Sequence, residues 1–445
     1  MKRRSGWAHR ALALSVVLGL GATGAGCATA DTANDRISPE VPLWYHRPAN
    51  LMSVLVKRTV TAAGRTTGED WERGRTEIDA RHGRIFLGTA DHGFYALRAG
   101  DGSTIWRFET LGVVQCEPLY DPELDIVYFG SHDGALYAVR AFDGSLVWRF
   151  FSGAEISRRP VKYGDNLYFA NGADQLFAVD RRTGKKKWQA HRTSALGMEI
   201  AGYSGPAAAF GKVYLAYSDG HVVAYDARDG TERWTPVDLS AEAEQSSPSG
   251  EAPRYLDVDT TPVPDEIPGS GNVVYVASYA GGVFALDAES GARVWSNDQA
   301  RGVTDLVLFS EPAHAPHPNG PDRDGPTVPA RKLLLASSGT TGLWGLEPGT
   351  GKMVWRNDVP EGGVTAPVQI DGALLVGTTR YGLFLLSPRN GRVIDGFNMT
   401  TGFAQTPSAF GHRAYAMTNA GTLFGLQIEP PSLGPTAPGN GQNWP

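Results

Sequence analysis

The sequence predicts an all-β protein, an eight-bladed β-propeller of four-stranded antiparallel blades, and three observations carry that prediction. The first is a recurring paragraph of three alternating apolar runs. In residues 125–150 the runs are Ile126–Phe129, Leu136–Val139 and Leu146–Phe150, separated by His132-Asp133-Gly134 and Phe142-Asp143-Gly144. These are the residues of tight antiparallel turns, so each paragraph is a β-meander. The second is a fixed spacing: Gly102, Gly144, Gly184, Gly230, Gly291 and Gly351 are each followed four residues later by Trp106, Trp148, Trp188, Trp234, Trp295 and Trp355, whereas Gly391 is followed by Asp395. A bulky ring at a repeated place marks packing between neighbouring units, which favours wedges between sheets over ligand stacking. The third is a proline ahead of most paragraphs (Pro118, Pro160, Pro206, Pro262, Pro367, Pro407), suited to the first position of an edge strand. Four strands per unit at a period near 40–45 residues describe a propeller blade whose innermost strand faces the central channel.

In chain order, Met1–Arg10 is cationic and Ala11–Leu20 is an apolar run too short to span a bilayer, followed by Gly24-Ala25-Gly26-Cys27. Residues 1–26 thus read as an export signal that resembles those of bacterial lipoproteins, which implies lipidation at Cys27, with a plain cleaved signal as the alternative, and residues 27–42 read as a polar tether. Arg3-Arg4 alone is too little for twin-arginine export. Leu51–Val60 is a strand without a paragraph of its own, while the last paragraph, residues 405–427, stops before an outer strand. An N-terminal strand completing the last blade would close the ring and cover its exposed edge. The propeller is therefore expected over residues 43–427 as a single domain, followed by a Pro/Gly-rich disordered tail over 428–445. Full paragraphs fall at 84–110, 125–152, 166–192, 212–238, 273–298, 332–358 and 373–399.

Extra residues enter loops. Residues 239–256 and Thr193–Ser204 both connect an outer strand to the next inner strand in consecutive blades, so they share a face; residues 310–331 join an inner strand to its neighbour and emerge on the other face. The sector carrying the first two loops is the expected binding surface.

A net charge of −6 gives no basic signature for nucleic acid or an anionic membrane surface. Beyond Cys27 only Cys116 remains, so there is no intramolecular disulfide, and Cys116 reads as a small core residue. No catalytic, cofactor or metal constellation stands out. His314 and His317 flank prolines in a long loop without a third ligand nearby, which favours a solvated loop over a metal site. Lys185, Lys186 and Lys187 are expected to alternate faces on an outer strand as charge protection. The Asp-Gly pairs at Asp101, Asp133, Asp143, Asp219 and Asp229 are turn formers.

The repeat VYxGSxDGxLYALDxxTGxxxW resembles that of pyrroloquinoline-quinone-type propellers, although the adjacent cysteines typical of the quinone dehydrogenases are missing. A closer resemblance, over residues 50–427, is to the propeller lipoprotein family of the outer-membrane β-barrel assembly machinery. In that family the central barrel protein's periplasmic domain docks on an apolar L-x-L-R loop and on two aspartates of a D-x-D-T-T-P segment. Leu256-Asp257-Val258-Asp259-Thr260-Thr261-Pro262 matches the second, which implies partner binding by Asp257 and Asp259. Met198 and Ile200 stand at the apolar positions of the first, with Ala201 where the Arg would be. On the residues alone, the aspartates could equally satisfy backbone donors at a strand entrance. The resemblance implies a non-enzymatic periplasmic scaffold on the outer membrane, without cofactor, a monomer within a hetero-oligomeric complex. The alternatives are an exported quinone- or metal-dependent oxidoreductase with a site at the channel mouth, and a surface lipoprotein binding another ligand.

Overall fold

The computed structural model describes residues 50–61, 72–192, 204–239, 258, 260–267, 269, 271–313, 329–358, 363–398 and 402–430. The expected signal, the lipidated tether with Cys27, His314 and His317 lie outside them. All regular structure in the described residues is strand, arranged as eight four-stranded antiparallel sheets. Blades 1 to 7 take their strands in chain order from Thr76–Asp79 to Val393–Asn398.

Blade 8 is the composite: the first strand, Met52–Thr59, pairs antiparallel with the last, Thr422–Ile428, outside Arg413–Met417 and Ser408–Phe410. Met52 lies opposite Ile428, which is fully buried, so the sheet extends one residue past the expected domain end at 427. Each expected proline directly precedes an inner strand; blades 1 and 6 start theirs after Arg75 and Gly302 instead.

The core consists of apolar layers shared between neighbouring blades. One such layer joins Tyr168, Leu176, Ala178 and Trp188 of blade 3 to Val213, Leu215, Val223 and Tyr225 of blade 4. The tryptophans seal these layers by a repeated contact. A Cβ on Gly144, Gly184, Gly230, Gly291, Gly351 or Gly391 would approach within 2.8 Å of the preceding blade's Trp106, Trp148, Trp188, Trp234, Trp295 or Trp355. Each of these glycines also has φ between +67° and +76°, so two independent constraints require Gly there. Across the sheet, the tryptophans sit opposite small residues, among them Ala96, Ala138, Ala178, Ala285 and Gly345.

A register irregularity just before the Trp position recurs in six blades and leaves Ile105, Val147, Lys187, Val294, Val354 and Ile394 without a cross-strand partner. A bulge of this kind breaks the two-residue alternation. The expected alternation of Lys185, Lys186 and Lys187 therefore fails, and all three are exposed. Blade 4 departs differently. Its expected outer strand through Trp234 shrinks to Val237–Asp238, because Pro236 offers no N–H to the ladder. Among the described residues, the Trp234 indole N–H has no hydrogen-bond partner.

Candidate docking face

The two outer-to-inner connections singled out by the sequence leave blades 3 and 4 and return to blades 4 and 5. Met198 and Ile200 in the first, and Asp257 and Asp259 in the second, lie outside the described residues, but the roots of both loops do not. Arg192, where the first loop leaves, donates from Nε (3.0 Å) and Nη2 (2.8 Å) to Asp219 Oδ2 in a turn of blade 4. Its guanidinium lies over the Tyr217 ring, 5.7 Å from the centroid. The first loop returns at Ser204, whose buried hydroxyl donates to Ala216 O (2.9 Å) and accepts from Ala216 N–H (3.0 Å). The second returns at Thr260, whose buried hydroxyl makes the same pair of bonds to Ala277, at 3.0 and 2.9 Å. The Gly205 N–H then donates to Thr261 Oγ1 at 3.0 Å. Within the D-x-D-T-T-P segment, Val258 is fully buried in the layer between blades 4 and 5. The topology thus brings the return points of the two loops into direct contact.

Toward the central channel, the inner strands of blades 1 to 3 are joined by ion pairs. Glu117 accepts from Arg75 Nη1 and Arg159 Nη1, each at 2.5 Å, and Glu77 accepts from Arg159 Nη2 at 3.0 Å. Burial pushes the Glu77 carboxyl up against the opposing pull of Arg159. Asp305 of blade 6 is raised as well, by a burial that outweighs the attraction of Arg158 and Arg75. Cys116, fully buried beside this network, donates its S–H toward Glu117 O (3.2 Å) and Arg158 O (3.1 Å), and burial pushes its thiol up to about 12. A thiol so held is a core group rather than a nucleophile.

Two other clusters have the outline of chemistry. Ser157 Oγ lies 3.1 Å from His132 Nε2, with Glu155 on the far side of the ring, but His132 Nδ1 is 3.7 Å from Glu155 Oε2. That distance is beyond hydrogen bonding, so the carboxylate does not fix the imidazole as a catalytic base requires. Asp79, His82 and Asp125 converge at a spacing suited to a metal, yet Arg84 already occupies the space between the carboxylates, donating to Asp79 (2.7 Å) and Asp125 (2.5 Å). The sequence reading missed both the channel network and the Arg84 site. Nothing in a single repeat shows which side chains meet across the ring.

Comparison with known proteins agrees with this architecture. The family model for outer membrane protein assembly factor BamB matches residues 95–311 and 313–429. Curated proteins named outer membrane protein assembly factor BamB from Legionella pneumophila (strain Paris) and Yersinia pestis are each 26% identical to this chain. The matches run over 217 residues, 48% of either chain, and over 275 residues, 61% of either chain, so this chain spans less than two thirds of the length of these relatives. A tetrathionate hydrolase from Acidithiobacillus ferrooxidans is 22% identical over 351 residues, covering 75% of this chain and 55% of that one. The crystal structure of BamB from Moraxella catarrhalis superposes with a TM-score of 0.64 at 18% identity, over 85% of this chain and 100% of that one, and so shares the fold. With both halves of the ring matched by one family model, the chain belongs to the outer membrane protein assembly factor BamB family.

Proposed function

We propose that this protein is a non-catalytic scaffold of the outer-membrane β-barrel assembly machinery. In this reading residues 1–26 are a lipoprotein signal, Cys27 carries the lipid, residues 27–42 tether the ring at the periplasmic face of the outer membrane, and the Pro/Gly-rich tail begins only after the strand that ends at Ile428. The central barrel protein docks through its periplasmic domains on the face carrying Met198, Ile200, Asp257 and Asp259. The observation that carries the proposal is the contact of the two loop roots, Gly205 N–H to Thr261 Oγ1. It supports a single patch in which apolar side chains lie beside carboxylates, the composition in which compact interfaces concentrate their energy. A second observation bears on the aspartates. The N–H groups of Ala216 and Ala277, at the ends of the neighbouring second strands, are already taken by the hydroxyls of Ser204 and Thr260, so these two donors beside the strand entrances do not call for a carboxylate.

The test is a titration of the barrel protein's periplasmic domains against variants, with a thermal melt of each. Met198→Asp with Ile200→Asp should cost on the order of 2–4 kcal/mol of binding while barely moving the melting temperature. Asp257→Ala with Asp259→Ala should weaken binding with a salt dependence that the apolar pair lacks. Undiminished binding would rule this face out as the docking site. Lost binding together with an equal loss of stability would return the aspartates to the strand entrance.

A further inference from the structure

On the face opposite these loops, where inner strands turn into second strands, a cleft of ≈ 510 Å³ lies between blades 3, 4 and 5. One wall is Phe210, in the two-residue turn between Ala209 and Lys212, with φ +53°. Every other described non-glycine residue with positive φ is Asn50, His92, Asp125, Asp174 or Asp371, residue types that tolerate the left-handed region. At the matching turn of blade 7 the same position holds Asp371 at φ +46°. A large ring at such a position is strained where Asp or Asn would be relaxed; it packs in part on the apolar layer between blades 4 and 5 and presents the rest of its surface to the cleft. The other wall is Tyr163 of blade 3, 38% exposed, whose hydroxyl accepts from the Gly211 N–H at 3.0 Å and ties the two turns together.

The floor is cationic. Lys212 Nζ, on a side chain only 9% exposed, bonds Glu289 Oε1 at 2.7 Å. Asp226 is buried and takes both Arg228, from Nε (3.1 Å) and Nη2 (3.0 Å), and Arg233, from Nη2 (2.7 Å). The Arg228 hydrogen bonds hold the Asp226 carboxyl well below the usual carboxylate range, so it stays charged. Three cations against two carboxylates leave the lining one positive charge in surplus. The Arg228 side chain, 83% exposed, keeps guanidinium donors beyond those given to Asp226.

From the two aromatic walls and the surplus charge we infer that this cleft binds an aromatic ring bearing a carboxylate, the ring between Tyr163 and Phe210 and the carboxylate on Arg228 and Arg233. A guanidinium is the donor group best matched to a carboxylate, and a ring packed between two others contributes most of the contact area. Two sources share that chemistry, a free aromatic acid and the last residue of a peptide chain.

The experiment uses the full chain and three probes: 3-(4-fluorophenyl)propanoate followed by fluorine NMR, a short peptide ending in Phe with a free carboxylate, and the same peptide amidated. The acid, the free-carboxylate peptide, or both should bind with dissociation constants of about 0.1–1 mM, and which of them binds assigns the source. The amide should bind at least about tenfold more weakly. Arg228→Gln should lower the affinity by a similar factor with only a small fall in melting temperature, because Arg233 and the backbone N–H of residue 228 still hold Asp226. Phe210→Asn, which relaxes the turn but removes one aromatic wall, should abolish binding, with the melt used only to verify that the variant is folded at the titration temperature. No saturable binding of either carboxylate probe, equal binding of the amide, or unchanged affinity in both variants would overturn the inference.

Discussion

Asp395 shows how one residue can depart from a repeat for a stated reason. It occupies the Trp position of blade 7, and the blade it faces has no outer turn glycine, because the chain enters there from its N-terminal segment. Its Oδ2 accepts instead from the backbone N–H groups of Leu51 (2.7 Å) and Met52 (3.2 Å) at the start of the first strand. Cross-strand from it stands Leu385, where the Trp positions of other blades face Ala or Gly. Asp395→Ala would leave the two N–H groups without this carboxylate, and we expect a loss of about 1–2 kcal/mol, read by denaturant titration. Asp395→Trp, which restores the repeat, should destabilise at least as much, since Leu385 leaves no room for the ring. A neutral result for the Ala variant would detach Asp395 from ring closure.

At the scale of the element, the first strand is held on one side by Thr422–Ile428 and stands at the outer edge on the other. Its register shifts between Val54 and Val56, which leaves Leu55 unpaired and 51% exposed. A bulge together with Lys57 and Arg58 disfavours further strand pairing at that edge. Val56 is the inward anchor; it is buried and packs where Gly102 of blade 1 would meet a Trp in any other blade. Deleting residues 43–60 should expose the length of Thr422–Ile428, lowering solubility and melting temperature, whereas deleting 431–445 should change neither. Equal behaviour of the two truncations would show that ring closure does not depend on this strand.

For the molecule as a whole, the channel network links strands that no single blade brings together. Asp305 is the member with the clearest pH signature. Burial raises its folded-state pKa above the unfolded value, so its contribution favours the fold at low pH and is lost as pH rises through the folded value. Asp305→Asn should accordingly raise the melting temperature at pH 7, and the gain should shrink as pH falls from the raised value toward the ordinary carboxylate value and vanish below the latter. A gain that persists or grows at low pH would mean that the ion pairing of Asp305, and not its burial, dominates. The tether offers a second whole-molecule test. Under the proposed function, Cys27→Ser should release the protein from the outer membrane while leaving its melting temperature unchanged, because the proposed lipid would supply membrane affinity and the ring supplies stability. Persistent membrane fractionation without partners would remove lipidation as the anchor.

The sequence by itself determined the blade, the number of blades and the closing strand. Each of these rests on local periodicity, turn residues and a strand left without partners, signals that lie within about one repeat of chain. It also placed the roots of the two long loops on one face, since alternating connections in an antiparallel blade must emerge on alternate sides. Only the tertiary structure decided what passes between blades: the glycine under each tryptophan of the preceding blade, Asp395 on the incoming strand, Glu117 between two arginines of different blades, and Phe210 across from Tyr163. These contacts join residues from about 40 to more than 340 positions apart. The repeat gives them all the same local sequence environment, so their pairing is fixed by the curvature of the closed ring and not by any pattern along the chain.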